Sequence, residues 1–290
     1  MARRRGEIRI GISGWRYAPW RGVFYPKGLK QKDELSYAAS IFRTLEINGT
    51  FYGTQRPQNF EAWREAVPED FVFAVKGPRF ITHIRRLREV ETPLANFFAS
   101  GVLRLGRKLG PFLWQFPPNM AFDAARFEPF LSLLPHDSGA AHALGRRHDS
   151  RLKQPDEETP PPLRLRHAVE IRHESFRDPD FIRLLARHDI ALVCADTVDW
   201  PRLMNLTSDF VYCRLHGSEE LYASGYDEAA LKSWSRRVRA WAEGGEAPES
   251  EFVPGAPRGR KRARDVYVYF DNDIKVRAPF DAQRLEEMLG

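Results

Sequence analysis

Cysteine is almost absent: the chain of 290 residues has two, Cys194 and Cys213. Both sit in apolar, strand-like runs. The expectation is a pair of reduced core thiols in a cytoplasmic protein, with no disulfide framework and no cysteine-built zinc site. No apolar run approaches the ~18–20 residues that a membrane-spanning helix needs, so the membrane is not an expected partner. The basic start Met1-Ala2-Arg3-Arg4-Arg5-Gly6-Glu7 is followed by no apolar signal-peptide segment, and a secretory signal is not expected. No His-x-x-x-His pair occurs, which removes the commonest helical zinc pattern. After the first strand-like run, Gly11-Ile12-Ser13-Gly14-Trp15 does not match the glycine-rich phosphate turn of dinucleotide-binding folds.

A distributed excess of positive charge is also missing. The formal net charge is +6, to which Arg3–Arg5 contribute +3 and Arg258, Arg260, Lys261, Arg262 and Arg264 contribute +5, leaving −2 for the rest. The basicity belongs to a tail, residues 1–7, and to one loop. That loop reads first as a solvated, mobile segment, and only weakly as a nucleic-acid contact.

What is present is a rhythm. Strand-like runs at Ile8–Trp15, Thr44–Tyr52, Phe71–Lys76, Phe112–Phe116, Ala168–His173, Ile190–Asp196, Phe210–His216 and Val266–Asp271 alternate with helical patterns. The helical segments are Leu35–Phe42, Asn59–Val67, the later part of Thr92–Leu109, Asp123–Leu134, Asp178–His188, Glu228–Glu243 and Asp281–Leu289. The Pro201–Thr207 crossover is too short for a helix. Strands separated by helical crossovers make a parallel sheet, and eight of them close a TIM-type (β/α)8 barrel. The expected domain is 8–290. Polar insertions at about 136–165 and 244–264 fall in αβ loops, on the face opposite the usual barrel active site. An open doubly wound sheet is the alternative fold.

Side chains alternate across a strand, and in a barrel one parity packs on the helices while the other faces the axis. This places Ser13, Glu46, Asn48, Lys76, Gln115, Glu170, Arg172, Asp196, Arg214, His216, Tyr269 and Asp271 on the axis side, toward the C-terminal mouth. So many polar groups in register point to a ligand site there. Trp15, Tyr17, Trp20, Phe24, Tyr25, Phe51 and Tyr52 fall in loops on the same mouth, either as stacking surfaces or as a small lid core.

These residues also carry a family resemblance. Gly11-Ile12-Ser13-Gly14-Trp15 with Phe24-Tyr25-Pro26, Glu46-Ile47-Asn48, Phe73-Ala74-Val75-Lys76, Gln115-Phe116-Pro117-Pro118, Val169-Glu170-Ile171-Arg172-His173, Arg214-Leu215-His216-Gly217 and Tyr267-Val268-Tyr269-Phe270 resemble the YecE-like proteins. That family is defined as a domain of unknown function and described as TIM barrels. The resemblance implies the barrel and brings no established reaction. It departs at Phe270-Asp271-Asn272-Asp273, where the family pattern reads Phe-Asn-Asn, so the eighth βα-loop is expected to differ.

The favoured chemistry is an enzyme, of hydrolase type for example, or a binder for a small anionic, phosphate-bearing ligand such as a nucleotide or nucleic-acid fragment. Glu46, Glu170, Asp196 and His216 are the candidate acid–base residues. Ser13, Trp15, Tyr17, Asn48, Tyr52, Lys76, His83, Gln115, Arg172, His173, Arg214 and Tyr269 are the candidate ligand contacts, with Arg172 and Arg214 as the anion clamp. The first alternative is glycoside hydrolysis by a Glu46/Glu170 pair. The second is a non-catalytic nucleic-acid or protein binding module, with structural ion pairs in the barrel. No cofactor is expected. A divalent metal is less favoured, because Arg172 and Arg214 compete for its carboxylate ligands. The sequence carries no oligomeric signal.

Overall fold

The computed structural model describes residues 5–217, 219, 221–248 and 251–290. Arg3 and Arg4 of the basic tail lie outside the described residues, as do positions 249 and 250 of the second insertion. The strands are β1 (Ile8–Ser13), β2 (Thr44–Ile47), β3 (Val72–Lys76), β4 (Leu109–Gln115), β5 (His167–Glu170), β6 (Ala191–Asp196), β7 (Phe210–Leu215) and β8 (Asp265–Phe270). They pair in parallel in chain order, and β8 closes onto β1. The helices are α1 (Glu34–Ile41), α2 (Gly49–Tyr52), α3 (Pro57–Glu65), α4 (Glu91–Phe98), α5 (Ala124–Leu133), α6 (Ser138–Gly145), α7 (Pro179–Arg187), α8 (Glu228–Ala242) and α9 (Ala278–Leu289). The expected (β/α)8 barrel is the observed fold. Among the described residues no helix is long and apolar enough to cross a membrane.

The strands carry two kinds of apolar face. Ile10, Ile12, Leu45, Ile47, Phe73, Val75, Phe112, Trp114, Val169 and Ile171 pack outward against the helices. A separate inner column holds Ala74, Leu113, Ala168, Ala191, Val193, Ala195, Tyr212 and Tyr269. Small side chains on β3, β5 and β6 make room for the long ones on β7 and β8. Tyr212 reaches across to donate to Glu46 Oε2 at 2.6 Å, and the Tyr269 hydroxyl lies 2.7 Å from Thr44 Oγ1. Gly11 belongs to the same economy of space, since a Cβ there would sit 1.9 Å from the carbonyl oxygen of Thr44.

Three of the boundaries that differ from expectation have a clear local form. The second strand ends at Ile47, because Gly49–Tyr52 turns into α2. The fifth ends at Glu170, so Arg172 and His173 lie beyond it. Gly101, at φ +99, separates α4 from the 3-10 turns of Val102–Lys108. The first insertion contains α6, capped by Asp137 Oδ1 accepting from the Ala140 N–H at 2.7 Å. Flanking prolines masked that helix in the sequence.

The basic loop of the second insertion is tied down more than expected. Arg264 is buried and donates to the carbonyls of Ser208, Arg262 and Arg260. Arg258 lies over the Phe252 ring at 4.3 Å and donates to Glu246.

Candidate functional site

The polar ends of the strands meet around Arg214. Its guanidinium is fully buried. Nη1 donates to Glu170 Oε2 at 2.7 Å, Nε to Glu46 Oε2 at 3.1 Å, and Nη2 to Glu46 Oε1 and Ser13 Oγ at 2.9 Å. Asp271 Oδ2 is 2.9 Å from the same Nη2. One cation from β7 thus binds carboxylates carried by β2, β5 and the end of β8. The remaining lone pairs are shared out. Ser13 Oγ donates to Glu46 Oε1 at 2.6 Å, and Arg172 Nε donates to Glu170 Oε1 at 2.8 Å. Arg172 also lies on the Trp200 ring at 4.1 Å. His216 Nδ1 is 3.0 Å from Asp271 Oδ2 and Nε2 is 3.9 Å from Glu170 Oε1, and neither buried ring nitrogen makes a well-formed hydrogen bond among the described residues. Burial above all lowers the His216 pKa, and Arg214 adds to this.

The network has a stability consequence. Burial alone would raise the pKa values of Glu170 and Asp271, but Arg214 overcomes it and holds both carboxyls well below the usual range. A carboxylate with a depressed folded pKa stabilises the fold above its unfolded pKa, and that contribution is lost as pH falls toward the folded value. Urea midpoints are therefore expected to drop steadily below about pH 5, costing several kcal/mol by about pH 3. A midpoint unchanged over that range would contradict the assignment.

Above the network opens a cavity of about 520 Å³, lined by Tyr17, Asn48, Phe51, Tyr52, Lys76, Arg79, His83, Gln115, Arg172, Tyr222, Asp271, Asp273 and Ile274. Its polar groups are unusually free. Lys76 Nζ sits 4.4 Å from the Phe51 ring centroid, with no hydrogen bond or ion pair among the described residues. Burial, and then the charge of Arg214, push its pKa down to about 8. The Asn48 Oδ1 atom is buried without a partner among the described residues. Gln115 is buried and makes no side-chain hydrogen bond within the described residues. Asp273 is raised to about 7, by burial first and then by Asp271. His83 is lowered to about 4, by burial and then by Lys76. Gly14, at φ +83, turns the chain after β1 so that the Tyr17 hydroxyl donates to the Ser13 carbonyl at 2.6 Å.

Most of the residues picked from the sequence meet here: Ser13, Glu46, Glu170, Arg214 and His216 in the network, and Tyr17, Asn48, Tyr52, Lys76, His83, Gln115 and Arg172 around the cavity. Four do not. Asp196 is on the outward parity of β6, where Oδ2 accepts from Trp234 on α8 and Oδ1 from Arg202. The inward residues of that strand are Ala191, Val193 and Ala195. Trp15 packs edge-on against Trp63 in the helix layer. Tyr269 is one layer below the mouth, against Thr44. His173 caps a turn, with Nδ1 accepting from the Ser175 N–H. Trp20, Phe24 and Tyr25 form a buried lid core. Sequence reasoning missed Arg79 and Trp200, gave Asp273 no role, and left Asp271 outside the candidate list. Arg79, Trp200 and Asp273 sit in loops where no periodicity marks them, whereas alternation did place Asp271 on the axis side.

The order of these residues along the chain can be set against known proteins. Residues 9–290 match the family described as "Protein of unknown function DUF72". The chain belongs to the DUF72 family. The resemblance to YecE-like proteins is thereby borne out. This DUF72 chain is 31% identical over 116 residues to the UPF0759 protein YunF of Bacillus subtilis (strain 168), and 29% identical over 110 residues to the UPF0759 protein YecE of Escherichia coli (strain K12). Those stretches cover 38% of this chain in each case, and 40% and 38% of the two relatives' own lengths. The crystal structure of a DUF72 family protein from Thermotoga maritima MSB8 superposes with a TM-score of 0.71 at 24% identity, covering 98% of this chain and 99% of that one. One from Enterococcus faecalis V583 gives 0.67 at 18% identity, with 99% and 98% covered. At these identities the two structures speak for the fold alone.

Proposed function

We propose that the barrel mouth binds a small anionic, phosphate-bearing ligand, and that the protein acts on it as an enzyme or carries it as a binder. The observation behind this reading is the contrast between two cations. Arg214 has its donors taken by Ser13, Glu46 and Glu170, with Asp271 against the same guanidinium. Lys76 lines the cavity with no ion-pair contact or hydrogen-bond partner among the described residues, and feels Glu46, Asp271 and Glu170 only at longer range. An unpaired, nearly buried ammonium costs stability, and such a cost is what binding sites retain. The clamp expected of Arg172 and Arg214 therefore moves to Lys76 and Arg79, with the Gln115 amide completing it. Tyr52, 73% exposed at the rim, offers a stacking face for a base. Asp273, with its pKa near neutrality, suits proton transfer. A Glu46/Glu170 glycosidase pair has less support, because both carboxylates are buried and spent on Arg214. Two buried free thiols fit a reducing, cytoplasmic setting.

Calorimetric titration with inorganic phosphate, pyrophosphate and nucleoside monophosphates tests the site. At least one probe is expected to bind, with affinity falling roughly tenfold or more in Lys76→Gln and several-fold in Arg79→Ala, as lost charge-assisted contacts do. Equal affinity in all three proteins, or no binding to any, would refute the reading.

A further inference from the structure

Lys76 is held as a reagent would be held, not only as a charge. It ends β3, where its carbonyl accepts from Thr50 Oγ1 at 2.6 Å, so the root of the side chain is fixed. Its stem is buried, with the residue 7% exposed, and the amine ends against the face of Phe51 at the cavity wall. Two other lysines with described contacts differ: Lys108 Nζ donates to the carbonyls of Arg64 and Val67, and Lys232 pairs with Glu228. A desolvated amine with no hydrogen-bond partner keeps its lone pair available.

We propose that Lys76 is a nucleophile that condenses with the carbonyl carbon of a small anionic aldehyde or ketone to form a protein-bound iminium. This deepens the anion-site reading and rests on it: Arg79 and Gln115 hold the anionic group, and Nζ meets the carbonyl. The Nζ lone pair adds to the carbonyl carbon, and the C=O π pair moves onto oxygen. A proton passes from nitrogen to that oxygen, giving a carbinolamine. A further proton converts the hydroxyl to water, which leaves as the C=N bond forms. Amine, carbonyl and one proton give iminium and water, with no change of oxidation state. Asp273, which lines the same cavity, is the proton donor. Its pKa near 7 lets it donate and recover a proton at neutral pH, and the lowered pKa of Lys76 leaves about a tenth of it as free amine there.

The test uses pyruvate, glycolaldehyde phosphate and dihydroxyacetone phosphate as probes, each mixed with the whole protein and reduced with sodium borohydride. Peptide mass mapping then locates the secondary amine. At least one probe is expected to label Lys76 at least tenfold above the mean of the other eight lysines, with inorganic phosphate suppressing the label. Lys76→Arg, whose fold is checked by circular dichroism, keeps the charge and is expected to bind phosphate yet give no adduct above background. Labelling spread evenly over the lysines would overturn the proposal. So would calorimetric binding of the probes without an adduct at Lys76, and that result would leave the anion site standing. Absence of both binding and adduct would remove the two together.

Discussion

Replacing Arg214 with methionine is expected to cost about 3–5 kcal/mol at neutral pH, the usual price of stripping one partner from a buried ion pair. Three carboxylates depend on this guanidinium. Glu46 and Glu170 are 0% exposed, and Asp271 is 8% exposed, so water cannot replace the lost donors. Tyr212 and Ser13 still donate to Glu46, and Arg172 to Glu170, which limits the damage but leaves Asp271 beside a histidine whose pKa is lowered. The melting temperature should fall by roughly 10 °C.

The pH dependence discriminates further. In the wild type, stability is lost on acidification, because Glu170 and Asp271 have depressed pKa values. In Arg214→Met burial loses its strongest opponent, and although Arg172, His216 and Lys76 still favour the ionised forms, both pKa values rise toward their unfolded ones. Less stability is then tied to the ionised carboxylates, and the loss between about pH 7 and about pH 3 should be clearly smaller than in the wild type. Adding Glu46→Gln and Glu170→Gln to the same variant should restore much of the loss. Thermal melts across that range measure all of this. A variant as stable as the wild type, or one with an unchanged pH trend, would mean that Arg214 is not the hub.

The period-two reading assigned the inward parity on seven strands, which located this hub, and failed on β6 for a physical reason. On β6 both parities are apolar, Ala191, Val193 and Ala195 against Leu192 and Cys194, so alternation of polarity carries no information. Residue volume does. The barrel axis is already filled by Tyr212, Arg214 and Tyr269, and only the smaller set fits inward. That rule would have turned Asp196 outward, toward Trp234. Trp15 was misplaced because Gly14, at φ +83, breaks the alternation that Ser13 still obeys. Lys76, Arg172 and Arg214 look alike in the sequence, as cations on inward positions. Which of them is free depends on where the carboxylates of other strands land. Register decides that: Ser13 faces Glu46, Gln115 faces Glu170, and Arg214 is flanked by Ala195 and Tyr269. Long-range pairing of this kind is invisible to any local pattern, and so are the loop residues Arg79 and Asp273.

The freedom of Lys76 has a thermodynamic signature of its own. Lys76→Met is expected to stabilise the protein by about 3 kcal/mol at pH 7, the linkage value of a pKa lowered from 10.5 to about 8. Below the folded pKa the amine is charged in both states, and the native state bears the full desolvation cost. Between the folded and unfolded values the native amine is already neutral while the unfolded one still holds its proton, so stability returns as pH rises. The gap between variant and wild type should therefore narrow to roughly half by about pH 9.5. Comparing the two proteins at each pH cancels the buried tyrosines, whose ionisation acts on both. A lysine retained as a structural counter-ion for Glu46, Glu170 and Asp271 would behave in the opposite way, its removal destabilising the fold at pH 7. Urea unfolding of the pair at about pH 7 and about pH 9.5 separates the two cases. A more stable Lys76→Met that has also lost its ligand is what a residue kept for function at the expense of the fold produces.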